Sequence, residues 1–123
     1  MPNGIFKKER VTPTLMDAYR APFPDFNSRA GILAFARGHP FGKAHPDYDR
    51  EKRTSEWVAS FRGPALLICA LRDHGYGQWA LDIWKEMLPQ ARVHTIPDAA
   101  HYLQEDAHEQ IVPWILEFLQ NNP

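Results

Sequence analysis

The side chains of this sequence best suited to chemistry are Asp73 and His101. Asp73 follows the apolar run PALLICA (64–70), and His101 follows a second run, ARVHTI (91–96). A carboxylate that holds an imidazole in one tautomer frees the other ring nitrogen to act as a general base. It also stabilises the cation formed when the ring takes a proton. Together they would make the acid and base of a hydrolytic triad. The third member, the nucleophile, is missing from the 123 residues. Ser28, Ser55 and Ser60 fall in helical contexts. A turn aspartate and an ordinary loop histidine would fit the same spacing, and spacing by itself leaves both readings open.

The elements that must position the pair lie between Pro64 and the end of the chain. ALLICA is a continuous apolar run, as expected of a strand covered on both faces. QWALDIWKEML (78–88) carries Trp79, Ile83 and Met87 as a helical stripe, and Leu88-Pro89 ends it. ARVHTI reads as a second strand. Asp106 with Glu109 resembles a capping box opening a final helix, whose apolar stripe is Ile111, Ile115, Phe118 and Leu119. Pro113 falls within that helix's first turns, where it is placed to kink it. Strand, helix, strand, helix predicts an α/β unit with a parallel pair and a right-handed crossover. Neighbouring strands lie roughly 4.8 Å apart, and sites in open parallel sheets form beyond the strands' carboxyl ends. Short loops there can bring Asp73 within reach of His101. Two parallel strands alone leave the ALLICA edge unpaired. The sheet therefore reads as incomplete, with further strands expected N-terminally or from a partner chain.

The first half offers no strand to fill that edge. Residues 1–11 are polar and mixed, with no sustained period. Thr12-Pro13 is a helix start, with threonine as N-cap and proline at the first helical position. Leu15, Met16 and Tyr19 share one side of this helix. The alternating prolines of Ala21-Pro22-Phe23-Pro24 forbid its continuation. Asn27 and Ser28 can cap a second helix, RAGILAFAR, with Ile32, Leu33 and Phe35 available for burial. A loop is expected over 38–46. Asp47 can cap a third helix, charged at first and turning Trp57, Val58 and Phe61 inward at its end, with Gly63-Pro64 closing it.

A net charge of −1 gives no electrostatic case for nucleic acid or an anionic membrane. No apolar run approaches the roughly 20 residues of a bilayer span. MPNGIFKKERV lacks the apolar core of a signal peptide. The single cysteine, Cys69, precludes an internal disulfide and sits in an apolar run, as a buried inert thiol does. A reducing cytosol is the simplest setting. His39 and His45 with His74 or His94 fit no common zinc spacing, and neither metal nor other cofactor is expected. Trp57, Trp79, Trp84 and Trp114 sit at helical spacings as packing residues.

PALLICALRD, followed by the histidine segment IPDAAHYLQED, resembles the C-terminal end of an α/β-hydrolase, in particular the haloalkane dehalogenases and their epoxide-hydrolase-like relatives. AYRAPFPDFNSRAGILAFAR resembles the second half of the dehalogenases' helical cap, where the APFP turn helps line the substrate pocket. The resemblance covers about residues 12 to 120. It implies an α/β fold class: two parallel strands with flanking helices from the C-terminal portion of an α/β-hydrolase core (63–123), plus a partial helical cap (1–62). It implies Asp73 as triad acid, His101 as base, and Phe23, Pro24 and Tyr76 as pocket walls. In this family a carboxylate nucleophile attacks carbon to give an ester, which histidine-activated water hydrolyses; an esterase-like relative would use serine. The family carries its nucleophile before the cap, on a sharp strand-to-helix elbow such as G-x-[SD]-x-G; no such pattern occurs in the 123 residues, and this chain begins, in effect, midway through the cap. ALRD also has alanine where relatives often have glycine. The expectation is a C-terminal piece carrying acid and base without a nucleophile, inactive alone, and meeting a small-molecule substrate only when completed by an N-terminal half. The other reading is a non-enzymatic module that pairs, or self-associates, through its open sheet edge.

Overall fold

The computed structural model describes residues 2–40 and 42–123; Phe41, within the loop expected over 38–46, and Met1 lie outside the described residues. The chain divides into two units. One is Thr12–Ser60, and the other joins Phe61–Pro123 to the N-terminal residues up to Val11.

The Thr12–Ser60 unit holds three helices: α1 (Pro13–Arg20), α2 (Ala30–Arg37) and α3 (Tyr48–Ser60). At the head of α1, Thr12 Oγ1 accepts the Leu15 N–H at 3.1 Å, the cap its Thr-Pro start implies. The cap expected from Asn27 and Ser28 does not form on α2. Ser28 instead donates its N–H to Asp25 Oδ1 at 2.8 Å and its hydroxyl to the Asp25 carbonyl at 2.7 Å. This local turn competes with capping, as short polar side chains commonly do, and a 3-10 turn over Asn27–Arg29 leads into the helix. None of the three helices buries a residue. Phe35 is 81% exposed and Trp57 69%, against the inward-facing roles expected of them, and Ile32, Leu33 and Phe61 are exposed as well. An apolar helix face needs a second layer to cover it, and among the described residues this unit contains no sheet.

In the other unit, β1 (Leu66–Ala70) pairs in parallel with β2 (Arg92–Ile96), with register from Leu66↔Arg92 to Ala70↔Ile96. Helix α4 (Gln78–Met87) joins the strands, and α5 (Leu103–Asn121) follows β2. The core is small: Ala70, Ile96, Ala99, Ala107 and Ile111, with Ile68, Leu103 and Trp114 packed against it. β1 is covered only at its end, where Cys69 and Ala70 are buried and Leu66, Leu67 and Ile68 are half-buried. The stripes read from the sequence are displaced accordingly. On α4 the buried residues are Ala80 and Leu81, while Trp79 and Ile83 are exposed. On α5, Ile111 is buried but Ile115 and Leu119 are exposed. Two strands form a layer too narrow to cover a helix's full apolar stripe.

The N-terminal segment, grouped with the first half by sequence, packs in this second unit. It forms 3-10 turns at Pro2–Gly4 and Lys8–Arg10, with Ile5 fully buried between them. Its anchor is Asp106, a fully buried carboxylate. Asp106 Oδ2 accepts the Phe6 N–H at 2.9 Å, and Oδ1 accepts the Lys7 N–H at 2.8 Å. Lys7 Nζ donates to the Asp106 carbonyl at 2.9 Å and pairs with Asp98 at 2.9 Å. The capping box expected of Asp106 and Glu109 is therefore not what these residues do. Glu109 pairs with Arg10 at 2.8 Å, and α5 already begins at Leu103. Its backbone breaks at Ala107 (φ −150°, ψ 30°) and not at Pro113.

Ile5→Ala should lower the unfolding free energy by roughly 2–5 kcal/mol, the range for truncating a buried isoleucine. Phe26→Ala, at a side chain 84% exposed, should change it by no more than about 0.5 kcal/mol; urea titration of the two variants checks both. The Arg10 hydrogen bond also holds the Glu109 carboxyl down at about 2, from an ordinary 4.5. A carboxyl depressed by folding contributes stability above its unfolded value and loses it as pH falls through the folded one. The Glu109 carboxyl carbon should accordingly titrate near 2 by NMR, and return toward 4.5 in Arg10→Ala.

Candidate active site

Beyond the ends of β1 and β2 the backbone continues to knit the two loops together. The Leu71 N–H donates to the Ile96 carbonyl and the Arg72 N–H to the Ala99 carbonyl, both at 3.0 Å. These bonds carry the strand pairing past the sheet and set Asp73 opposite the His101 loop. The Gly75 N–H then donates to Asp73 Oδ1 at 2.8 Å. Gly77 keeps this loop tight: a Cβ there would lie 2.6 Å from the Asp73 carbonyl oxygen. The outcome is a hydrogen bond of 2.9 Å between His101 Nδ1 and Asp73 Oδ2.

The two partners differ in exposure, at 11% for the Asp73 side chain and 54% for His101. Burial pushes the Asp73 carboxyl up. The hydrogen bond from His101 and the N–H groups of Gly75 and Tyr76 outweigh it, leaving the carboxyl below the ordinary aspartate value. Asp73 is thereby favoured as the ionised acceptor facing His101 Nδ1. His101 Nε2 makes no hydrogen bond with the described residues and is open to whatever approaches. Such an arrangement can hold an imidazole in one tautomer and leave its second nitrogen free for acid–base chemistry.

Tyr76 stands beside the pair, its ring stacked on His101 at 6.1 Å between centroids and on Trp79 at 6.2 Å. Asp73, Tyr76 and His101 share a groove of about 320 Å³ with residues Leu67–Ala70 of β1 and with Leu81 and Trp84 of α4. Apolar lining with a few convergent polar groups is the usual make-up of a small-molecule site. This groove follows β1, which among the described residues pairs only with β2. Cys69 also lines it, but as an inert thiol. Burial, with the negative charge of Asp73 and Asp82, raises its pKa, and Sγ points at the carbonyls of Tyr76 and Gly77.

Phe23 and Pro24 lie in the other unit. Phe23 lines a separate hollow there with Tyr19, Arg20, Arg29 and Ile32, and Pro24 is exposed. Among the described residues no cluster of three or more histidine, cysteine or acidic side chains could hold a metal. His94 stacks on Trp114 at 4.2 Å with the rings 4° from parallel, a packing contact. Two contributors had no signal in the sequence reading. Asp106 accepts the Ala100 N–H at 2.9 Å, and Gly4 accepts the Tyr102 N–H at 2.9 Å, so each holds a neighbour of His101. The only hint was the apolar pair Ile5-Phe6 within a polar stretch.

No protein-family model matches the chain. Among curated proteins it is 33% identical over 115 residues to a cis-3-alkyl-4-alkyloxetan-2-one decarboxylase of Xanthomonas campestris, covering 93% of this chain and 38% of that protein. It is 30% identical over 112 residues to a haloalkane dehalogenase of Mycolicibacterium paratuberculosis, covering 90% of this chain and 37% of the relative. A haloalkane dehalogenase of Psychrobacter cryohalolentis matches at 28% identity over 127 residues, 98% of this chain and 41% of the relative. The chain thus spans well under half the length of these relatives, and it matches their C-terminal part. In sequence and in its parallel-stranded fold, the chain belongs with the α/β-hydrolases, as a stretch like the C-terminal part of the haloalkane dehalogenases and oxetanone decarboxylases.

Proposed function

We propose that Asp73 and His101 are the acid and base of a haloalkane dehalogenase-like site whose nucleophile is carried on a separate segment. The observation that supports this is the 2.9 Å bond between His101 Nδ1 and the largely shielded Asp73, with Nε2 left open beside an apolar groove. In this reading an aspartate on the complementing segment attacks the carbon bearing the halogen. The carbon–halogen bond breaks, halide leaves with its electron pair, and an ester joins substrate to protein. His101 Nε2 then takes a proton from water, and the hydroxide formed adds to the ester carbonyl. Collapse releases the alcohol and restores the carboxylate. Asp73 stabilises the imidazolium during the second step.

The complementing segment docks along β1, whose unpaired edge and half-buried side chains suit an added strand. The Thr12–Ser60 unit is then part of a cap, and Tyr76 is a wall of the groove beside His101. We place the protein in the cytoplasm, where Cys69 stays a free thiol.

A second reading rests on the 33% identity to the oxetanone decarboxylase. A cis-dialkyl oxetan-2-one would occupy the same groove, one C–O and one C–C ring bond would break, and carbon dioxide and an alkene would leave.

The 123-residue chain should release no halide from haloalkanes by itself. Supplied with the N-terminal part of a haloalkane dehalogenase relative, it should gain turnover, and His101→Ala should reduce that turnover roughly 10²–10⁴-fold. Turnover by the isolated chain that His101→Ala abolishes would refute the separate nucleophile. Alkene from an oxetan-2-one without halide release would select the second reading.

A further inference from the structure

His101 sits in an irregular loop between β2 and α5, yet its ring must meet Asp73 Oδ2 at hydrogen-bond distance. A shift of a fraction of an ångström weakens such a contact, so something must fix the loop's backbone. Its early part is tied to the β1 side. The Arg72 N–H donates to the Ala99 carbonyl at 3.0 Å, and Arg72 Nε donates to the Pro97 carbonyl at 3.2 Å. The two neighbours of His101 are tied elsewhere. The Ala100 N–H goes to Asp106 Oδ2 at 2.9 Å, and the Tyr102 N–H goes to the Gly4 carbonyl at 2.9 Å.

Those two ties belong to one structure, because Asp106 also accepts the N–H groups of Phe6 and Lys7. A single buried carboxylate therefore clasps the N-terminal strap with one set of bonds and the histidine loop with another. Gly4 comes close enough to the loop that a Cβ would lie 2.6 Å from the Tyr102 ring. The Tyr102 ring in turn meets His101 edge-on, at 5.4 Å between centroids and 87°.

We propose that Asp106 and the strap through Gly4 are a positioning device that holds His101 in the Nδ1–H tautomer against Asp73. The proposal rests on the reading of Asp73 and His101 as an acid–base pair. It goes beyond that reading by assigning the base's orientation to a buried carboxylate and to a strap whose Gly4 lies nearly a hundred positions away in sequence. Neither Asp106 nor Gly4 touches a reacting atom; both act through the backbone on either side of His101.

Ring nitrogen chemical shifts of the neutral imidazole report the tautomer directly, and a purely structural role would not move them. In the 123-residue chain His101 should be almost wholly Nδ1–H, and Asp73→Asn should erase that preference and set the scale. Asp106→Asn should shift His101 most of the way toward the Asp73→Asn mixture. An asparagine amide leaves at least one of the three N–H donors facing another donor. Gly4→Ala should shift it in the same direction, because the new Cβ cannot share space with the Tyr102 ring. Arg10→Ala, which removes the Glu109 pair further along the strap, should leave the tautomer unchanged. Retention of the Nδ1–H form in folded Asp106→Asn and Gly4→Ala would overturn the proposal, as would an equal shift in Arg10→Ala. Loss of the folded far-ultraviolet circular dichroism spectrum in both variants would overturn it too, since the strap would then be a folding requirement. A parent chain without the Nδ1–H excess would instead refute the acid–base pair itself.

Discussion

One buried carboxylate organises this structure. Asp106 is fully shielded from water, and a carboxylate can be taken there only when its oxygens are met by donors. Those donors come from the chain's first residues and from the loop before α5. The backbone break at Ala107 and the buried Ile5 lie beside these bonds, and the same carboxylate holds the N–H of Ala100, next to His101. Removing one partner would leave the others buried and unpaired, which costs more than the bond contributes when complete. The strap, the histidine loop and the start of α5 therefore behave as one cooperative piece.

The sheet beside that piece is a different matter. Two parallel strands bury too little surface to cover α4 and α5, and Trp79, Ile83, Trp84 and Leu116 remain exposed. Large apolar side chains left in water beside an open strand edge suit a surface that another segment covers. The proposed function draws both facts together. The groove that holds Asp73 and His101 also follows the unpaired strand, so a segment that completes the sheet can bring the nucleophile to the base. Among the described residues no helix is long and apolar enough to cross a membrane.

Local chemistry was legible in the sequence, and long-range chemistry was not. The two apolar runs gave both strands within a residue of their ends, and their parallel pairing followed from the intervening helix. The Thr12-Pro13 start of α1 was legible because capping depends on neighbours. Asp73 and His101 could be matched because each follows a strand by a short loop, and the pairing of the strands then fixes where those loops meet. Asp106 misled for the complementary reason. Its spacing to Glu109 satisfies a capping box, but its donors lie at residues 6 and 7, and no local pattern encodes a contact across that distance. The stripes on α4 and α5 misled because periodicity says which residues share a face, not whether a layer exists to cover it. Phe23 and Pro24 belong to the other unit, where sequence spacing carries no information about the groove beside His101.

The central claim is that Asp73 and His101 are coupled across two strand ends as a shielded acid and an open base. Coupling of this kind registers on Asp73, where the His101 hydrogen bond helps hold the carboxyl below its ordinary value against the upward push of burial. The pair accordingly adds stability above the ordinary aspartate range, and that contribution is lost as pH falls through the folded value. The most direct measurement is the titration of the Asp73 carboxyl carbon by NMR in the parent chain and in His101→Ala. The account predicts a midpoint below the ordinary aspartate value in the parent and a clear rise in the variant, where burial is no longer opposed by the imidazole. Identical midpoints in the two chains would contradict it.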